Sequence, residues 1–503
     1  MEKYIAVTIG PIFDTINLAS SPSALWAASY LFSLLSKNIC KKLVENGIAQ
    51  EDIISPYYDS QDPLLNKKDG VGLFHDRVIF KAGSFAIGDF DEKIRIPAIE
   101  KTVQSFGYRS ESDLLYFREY FMVSAVEFGS EKPIEDSSVM LDCLELSKQF
   151  VGSETANPIL SKFNSEDEGA ENGKADEKAK SRNAAIIGAI KEMGLTDWQL
   201  FKSGGKGVRS LGDIAARGIQ PADRLKKHDY FAVVRSDGDH MGDIIAGLRS
   251  GEEIRAFSQT CLRYCSDVAE LVKEYKGVSI YSGGDDLLAI LPVENAEQKT
   301  VFDFVAQANE LFQKSFNKYN TGTSSLSFGV FVCYHKFPLY EALSVSADLL
   351  FDVAKRRRNA LAVRFQKHAG QSEGLLIDND SLGRFRKLFD KIIASADKTT
   401  DKALLSSMHK LELFKTMFNN VKDRDEIENL FKNTFDADFH KDNAFLEAVL
   451  PDFYFDLVNS LHIKALTNDG IGDPEDDADD HVKAMNYILR IIKFFTEKAG
   501  ERK

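Results

Sequence analysis

DYFAVVRSDGDHMG (Asp229–Gly242) and KGVSIYSGGDDLLAILPV (Lys276–Val293) frame the part of the sequence that decides the fold. Each opens as a β-branched and aromatic run, which reads as a strand, and each turns at a cluster of glycine and aspartate. The second segment holds two strands, Gly277–Ser282 and Asp286–Val293, joined through Gly283 and Gly284. Between the segments, EIRAFSQTCLRYCSDVAELVKEY (Glu253–Tyr275) repeats apolar residues at helical spacing. Downstream, the pattern predicts a helix near Ala296–Lys318 and a strand at SLSFGVFVCY (Ser325–Tyr334). A helix at Leu339–Arg356 and a strand at ALAVRF (Ala360–Phe365) complete the region.

Reduced to symbols this is β-α-β-β-α-β with additions, the split βαβ layout of ferredoxin-like domains. Polymerase palms and nucleotide cyclases share that layout, which alone fixes no function. The N-terminal stretch echoes it: YIAVTIG (Tyr4–Gly10) reads as a strand, about Ala24–Asn46 as a long helix, and DRVIFKA (Asp76–Ala82) as another strand. The expected class is α+β, with two ferredoxin-like palm domains plus helical domains. The expected division is a degenerate first palm at 1–130, a helical connecting domain at 131–225, a second palm with the GGDD site at 226–370, and a helical domain at 371–503. Within the connecting domain, Lys162–Asn183 (KFNSEDEGAENGKADEKAKSRN) is nearly free of apolar residues and reads as a mobile linker. The aspartate-rich Thr467–His481 lacks the ligand spacing of a calcium loop and reads as a solvated acidic loop.

At 503 residues the chain is long enough for about three or four domains. Its 44% hydrophobic and 28% charged residues exclude wholesale disorder. With 63 basic against 77 acidic residues, the net charge of −14 excludes a protein that grips nucleic acid with its whole surface, so a polyanion site must be a local patch. The start lacks a secretory pattern and no apolar run reaches a membrane span, so a cytoplasmic protein without membrane contact is expected. Five scattered cysteines (Cys40, Cys143, Cys261, Cys265 and Cys333), with no CxxC pair, argue against a disulfide framework and against zinc. Cys261 and Cys265 are spaced to share one face of a helix and read as buried thiols.

In a ferredoxin-like sheet the strand ending at SDGDHMG neighbours the GGDD hairpin, which crowds Asp237, Asp239, Asp285 and Asp286 together. Carboxylates so placed repel one another unless cations neutralise them, and hard oxygen ligands without cysteine point to Mg2+ or Mn2+. Gly283 and Gly284 permit the hairpin and leave no side chain to obstruct a nucleotide, and Gly238 and Gly242 let backbone amides approach phosphate oxygens near the start of the following helix. With Ser282 of the same hairpin, Gly238, Gly283 and Gly284 form the expected nucleotide-facing set. A third segment, SADLLFDVAKRRRNALAV (Ser346–Val363), is a helix ending in Lys355, Arg356, Arg357 and Arg358. A basic run is usually a solvated face. Its position beside the carboxylate strands makes Lys355 a candidate phosphate ligand.

AVVRSDGDHMG, YSGGDDLLAI, FGVFVCYHKFPLYEALSVSADLLFDVAK and RNALAVRFQKHAG together resemble the second palm of the large subunit of type III CRISPR effector complexes. YIAVTIGPIFDTINLASSPSALWAASYLFSLLS and GVGLFHDRVIF (Gly70–Phe80) resemble the first palm of the Cmr branch. The resemblance implies a target-RNA-activated nucleotidyltransferase that makes a second messenger from ATP, either cyclic oligoadenylate or AMP joined to S-adenosylmethionine as co-substrate. It implies guide RNA, target RNA and the other subunits of a Cmr-like complex as partners. It carries catalytic and metal-binding roles onto Asp237, Asp285 and Asp286, with Asp239 a further metal candidate. Many relatives begin with an HD nuclease domain, whereas this sequence opens at the first palm. His75-Asp76 and His228-Asp229 stand at strand entrances without a helical partner set, so nuclease activity is not expected. Two other readings remain open: a non-catalytic RNA-binding scaffold, and a GGDEF-like dinucleotide cyclase, against which GGDD weighs.

Overall fold

The run YIAVTIG is apolar at nearly every position because strand β1 (Glu2–Gly10) is covered on both faces. Ile5, Val7 and Ile9 enter the main core, while Tyr4 and Ala6 alternate into a second cluster with Phe128 and Leu141. The main core receives the helix Pro22–Glu45, whose start is set by Ser21, accepting a bond from the Ala24 amide, and by proline at its first position. The helix Pro133–Ser147 carries Leu141 over the other face. In this computed structural model, residues 2–147, 157–164, 177–202, 207–220, 223–319, 324–394, 398–435, 449–466 and 480–496 are described.

With β2 (Ile53–Ser55), β3 (Arg77–Lys81) and β4 (Met122–Ser130), β1 forms an antiparallel sheet of order β2-β3-β1-β4. The helices Ile96–Ser105 and Glu111–Tyr120 lead into β4, completing one ferredoxin-like unit. The second unit repeats the plan with β5 (Tyr230–Asp239), the helix Gly251–Glu274, β6 (Val278–Gly283), β7 (Asp286–Pro292), the helix Val301–Phe316 and β8 (Ser325–Tyr334). Its sheet continues with β9 (Ala360–Gln366), parallel to β8, then β10 (Ser372–Asp378) and β11 (Ile463–Leu466), in the order β11-β10-β9-β8-β5-β7-β6. The architecture is α+β with two ferredoxin-like palm sheets and surrounding helices.

Three particulars differ from the sequence reading. The boundary expected at residue 370 falls between two paired strands, since β10 and β11 extend the second sheet. Within Lys162–Asn183, residues 165–176 lie outside the described residues, and residues 177–183 belong to the helix Glu177–Glu192, where interspersed alanines favour helix despite the charges. Of the acidic stretch Thr467–His481, residues 467–479 lie outside the described residues, and His481 opens the helix His481–Thr496.

The two units pack reciprocally: the helix Pro22–Glu45 of the first lies against β6 of the second, and the helix Gly251–Glu274 of the second lies against β2 of the first. Arg255 crosses the boundary, donating from Nη1 to the carbonyls of Gln50 (2.7 Å) and Ile53 (2.6 Å) and from Nη2 to Tyr58 (2.9 Å). Lys67 reaches back to Glu270 at 3.0 Å, and the Ser282 amide donates to the Gly72 carbonyl at 3.2 Å. No helix among the described residues is long and apolar enough to cross a membrane.

At the end of β5 remote from the motifs, Lys227 is buried, with its ammonium 2.8 Å from Glu294 and 3.1 Å from the Phe495 carbonyl of the last helix. A buried charge left without its partner is costly. Glu294→Gln is therefore expected to destabilise the protein by about 3 kcal/mol, and Lys227→Met combined with Glu294→Gln by less. Urea midpoints of the three proteins check this, and equal losses in both variants would refute it.

Candidate active site

The GGDD hairpin closes with two residues, Gly284 and Asp285, between the paired Gly283 and Asp286. Gly284 has φ +72° with no atom near the position of a Cβ, so it supplies the left-handed first turn residue and leaves open space above it. Gly283 is small for another reason: a Cβ there would lie 2.4 Å from the Tyr281 hydroxyl. The expected role of Gly283 in making room for a nucleotide is therefore corrected, because Tyr281 fills that room. Ser282 also differs from expectation. It is fully buried and donates to the Cys265 carbonyl at 3.0 Å, beneath the hairpin rather than toward a ligand. The Cys265 thiol donates to the Gly284 carbonyl at 3.2 Å, so the helix Gly251–Glu274 grips the hairpin twice from behind.

β5 runs further than the sequence suggests. SDGD is paired strand rather than the loop beyond it, with Asp237 opposite Ser327 and Asp239 opposite Ser325 on β8. Pairing with β7 on the other flank of β5 brings Asp237 beside the hairpin, and oxygens of Asp237, Asp285 and Asp286 lie within 4.8 Å of one another. The Gly238 amide donates to Asp285 Oδ2 at 3.2 Å, and a Cβ on Gly238 would stand 2.8 Å from that same oxygen. Gly238 thus holds a carboxylate instead of presenting a free amide.

Asp239 does not join the three. It is 2% exposed and accepts from Ser325 Oγ (2.7 Å), Ser327 Oγ (2.8 Å) and the Asn359 amide (2.9 Å), which occupies it as an anchor rather than leaving it as a metal ligand. Lys355 lies between the two sets, 2.7 Å from Asp237, 3.2 Å from Asp239 and 2.6 Å from the Gly238 carbonyl. Its three N–H donors match three acceptors. The helix that delivers it begins at Leu339–Asp348 and passes through a π segment, Leu349–Ala354, a helical form concentrated at functional sites. Gly329 on β8 lets that helix close on the sheet, since a Cβ would lie 2.4 Å from the Ser346 carbonyl. The rest of the basic run is committed elsewhere: Arg356 toward Asp352 (3.9 Å), Arg357 to Asp378 (2.6 Å), and Arg358 to His240 Nε2 (2.8 Å).

Sequence reading missed three features. Ser325 and Ser327, alternate residues on one strand face, anchor Asp239. Asp76 of the first domain comes close enough for its charge to act on the Tyr281 hydroxyl, which burial and then Asp286 hold well above its ordinary range. Arg235, the one basic residue of β5, donates from Nε to Ser346 Oγ at 3.1 Å on the face of Asp237. Of the HD dipeptides, His75 faces Ser55 Oγ at 3.2 Å and His228 Nδ1 accepts from the Leu225 amide at 2.9 Å.

Three hard oxygen donors in one group, two partly buried and one exposed, fit a divalent cation. Their electrostatics agree. Burial and then the charge of Asp237 push Asp285 from the ordinary 3.8 up to about 7, with Lys355 pulling the other way. Asp286 is raised too, by lost hydration and by the charges of Asp285 and Asp237. Below about pH 4 folded and unfolded chains both hold the Asp285 proton; from there to about pH 7 only the folded chain keeps it, so this group lowers stability as pH rises. Asp285→Asn keeps an oxygen for Gly238 and removes that loss. In chelator, its melting temperature is expected to match wild type near about pH 4 and to exceed it increasingly toward about pH 7. A difference independent of pH would refute the assignment.

The family model for the second palm domain of Cas10/Cmr2 matches residues 230–362, and that for the N-terminal region of CRISPR-associated protein Cmr2 matches residues 4–105. The CRISPR system Cmr subunit Cmr2 of Pyrococcus furiosus is 32% identical over 170 residues, 28% of this chain and 19% of that protein, so the match spans about a fifth of the relative's length. Among solved structures, type III-B Cmr-beta bound to cognate target RNA has a chain similar at TM-score 0.58 and 13% identity, over 99% of this chain and 83% of that one. The Csm1-Csm4 cassette in complex with pppApA matches at TM-score 0.52 and 14% identity, over 98% and 69%. These are likenesses of fold. The two family domains, in sequence order, support a Cmr-type large subunit of the Cas10/Cmr2 family.

Proposed function

We propose that the protein is the nucleotidyltransferase subunit of a type III CRISPR effector complex, activated by target RNA and making a nucleotide second messenger from ATP. The product is cyclic oligoadenylate, or AMP joined to S-adenosylmethionine. The observation that carries this reading is the convergence of Asp237, Asp285 and Asp286 on one point of the second palm. A scaffold subunit has no use for three carboxylates held against their mutual repulsion. That a structure of the same fold is a complex with pppApA adds support. Guide RNA, target RNA and other effector subunits are the proposed partners, and the −14 net charge assigns much of the RNA contact to those subunits.

In this reading Asp237, Asp285 and Asp286 hold Mg2+ or Mn2+. The metal, when bound, would lower the pKa of the attacking ribose hydroxyl and offset charge on the pyrophosphate leaving group. The chain's own contribution is placement. Gly238 orients Asp285 through its amide. Open space over Gly284 admits the nucleotide. Lys355, rooted by Asp239, puts an ammonium where phosphate oxygens approach the carboxylates.

The test is ATP turnover by the assembled complex with Mg2+ upon addition of target RNA, followed by mass analysis of products with and without S-adenosylmethionine. Asp285→Ala combined with Asp286→Ala is expected to lower turnover by at least about a thousandfold, as loss of charge-stabilising groups does. Undiminished turnover in that variant would sink the assignment, and absence of any new nucleotide from wild type would favour a scaffold.

A further inference from the structure

Arg235 stands two residues before Asp237 on β5, so the two side chains rise from the same face of the sheet, with Cα atoms about 6.8 Å apart. Its Nε donates to Ser346 Oγ at 3.1 Å, and the Ser346 hydroxyl in turn donates to the Leu343 carbonyl at 2.8 Å. The root of the guanidinium is therefore fixed by a relay into the helix that delivers Lys355. Its two Nη groups, by contrast, carry no bond among the described residues, and Arg235 forms no ion pair there.

This sets it apart from its neighbours. Lys355 spends its donors on Asp237, Asp239 and Gly238, Arg357 is paired with Asp378, and Arg358 is bonded to His240. Arg235 is also partly buried, whereas Arg356, Arg357 and Arg358 are exposed. Burial withdraws part of its hydration, a cost that the charge of Asp286 offsets only in part and without a direct ion pair. An apolar residue would pack at this strand position without that cost. A guanidinium with a pinned Nε and free Nη donors is a preorganised fork for an oxyanion.

We infer that Arg235 is a substrate-binding residue whose free Nη donors take a phosphate group of the nucleotide in the palm cleft. The inference rests on the nucleotidyltransferase reading above and adds a second phosphate contact, distinct from Lys355 and lying further down β5. Arg235 would bond the phosphate from the sheet floor, while Lys355, its donors kept on Asp237, Asp239 and Gly238, adds its charge from the neighbouring helix end.

The test is equilibrium binding of a non-hydrolysable ATP analogue and of adenosine to the assembled complex with Mg2+, for wild type, Arg235→Gln, Arg235→Lys and Ser346→Ala. Arg235→Gln is expected to weaken the analogue by about tenfold or more while leaving adenosine within about twofold, since only the former loses a charge-assisted bond. Arg235→Lys should recover part of the loss. Ser346→Ala, which frees the guanidinium without removing it, should fall between, and it carries the test should Arg235→Gln fail to fold. Equal weakening of both compounds, or no weakening of either, overturns the role of Arg235. A wild-type complex that binds neither compound overturns the nucleotidyltransferase reading itself.

Discussion

Three carboxylates gathered within 4.8 Å, with one ammonium set against them, are the constraint that organises the second palm. Without Lys355 the group would carry like charges in partly dehydrated surroundings, at a cost of several kcal/mol. The lysine can hold its place only because Asp239 is consumed as its second anchor, and Asp239 can do that only because Ser325 and Ser327 satisfy its remaining oxygen valences. Gly329 then has to be glycine for the lysine-bearing helix to come close enough. Each of these residues answers to the same electrostatic problem.

The first palm serves that arrangement from outside. Its strand edge receives the helix Gly251–Glu274, which holds the GGDD hairpin from behind, and its loop carbonyl at Gly72 meets the Ser282 amide. Reciprocal packing of two similar units gives a continuous core through both, so the hairpin is supported by residues from each half of the chain.

Most of the second palm was legible in the sequence because its signals are local: strand composition, helical spacing and glycine turns each fall within a dozen residues. The gathering of Asp237, Asp285 and Asp286 was legible for the same reason, since neighbouring strands in a known layout end at the same edge. Asp239, Ser282 and Gly283 were not, because which side chain faces a ligand and which faces the protein depends on cross-strand partners far away in sequence, such as Ser325, Cys265 and the ring of Tyr281. Four-residue β11 gives too short a pattern to read, and it is a strand because β10 offers it an edge. Arg235 was not legible because a single basic residue in a strand carries no motif. Its meaning comes from Nη donors that carry no hydrogen bond among the described residues.

The two sides of the carboxylate group differ in stiffness. Asp237 stands on a strand hydrogen-bonded on both flanks, to β7 up to Ser236 and to β8 through Asp239, so its backbone is clamped in the interior of a seven-stranded sheet. Asp285 stands on the two-residue turn between β6 and β7, Asp286 is the first residue of β7, and β6 is the outermost strand on that side. Local opening costs least where fewest hydrogen bonds must break. Any change in carboxylate spacing as charge enters or leaves the group is therefore taken up by the hairpin: Asp237 is the fixed jaw of a vice and the turn is the one that travels.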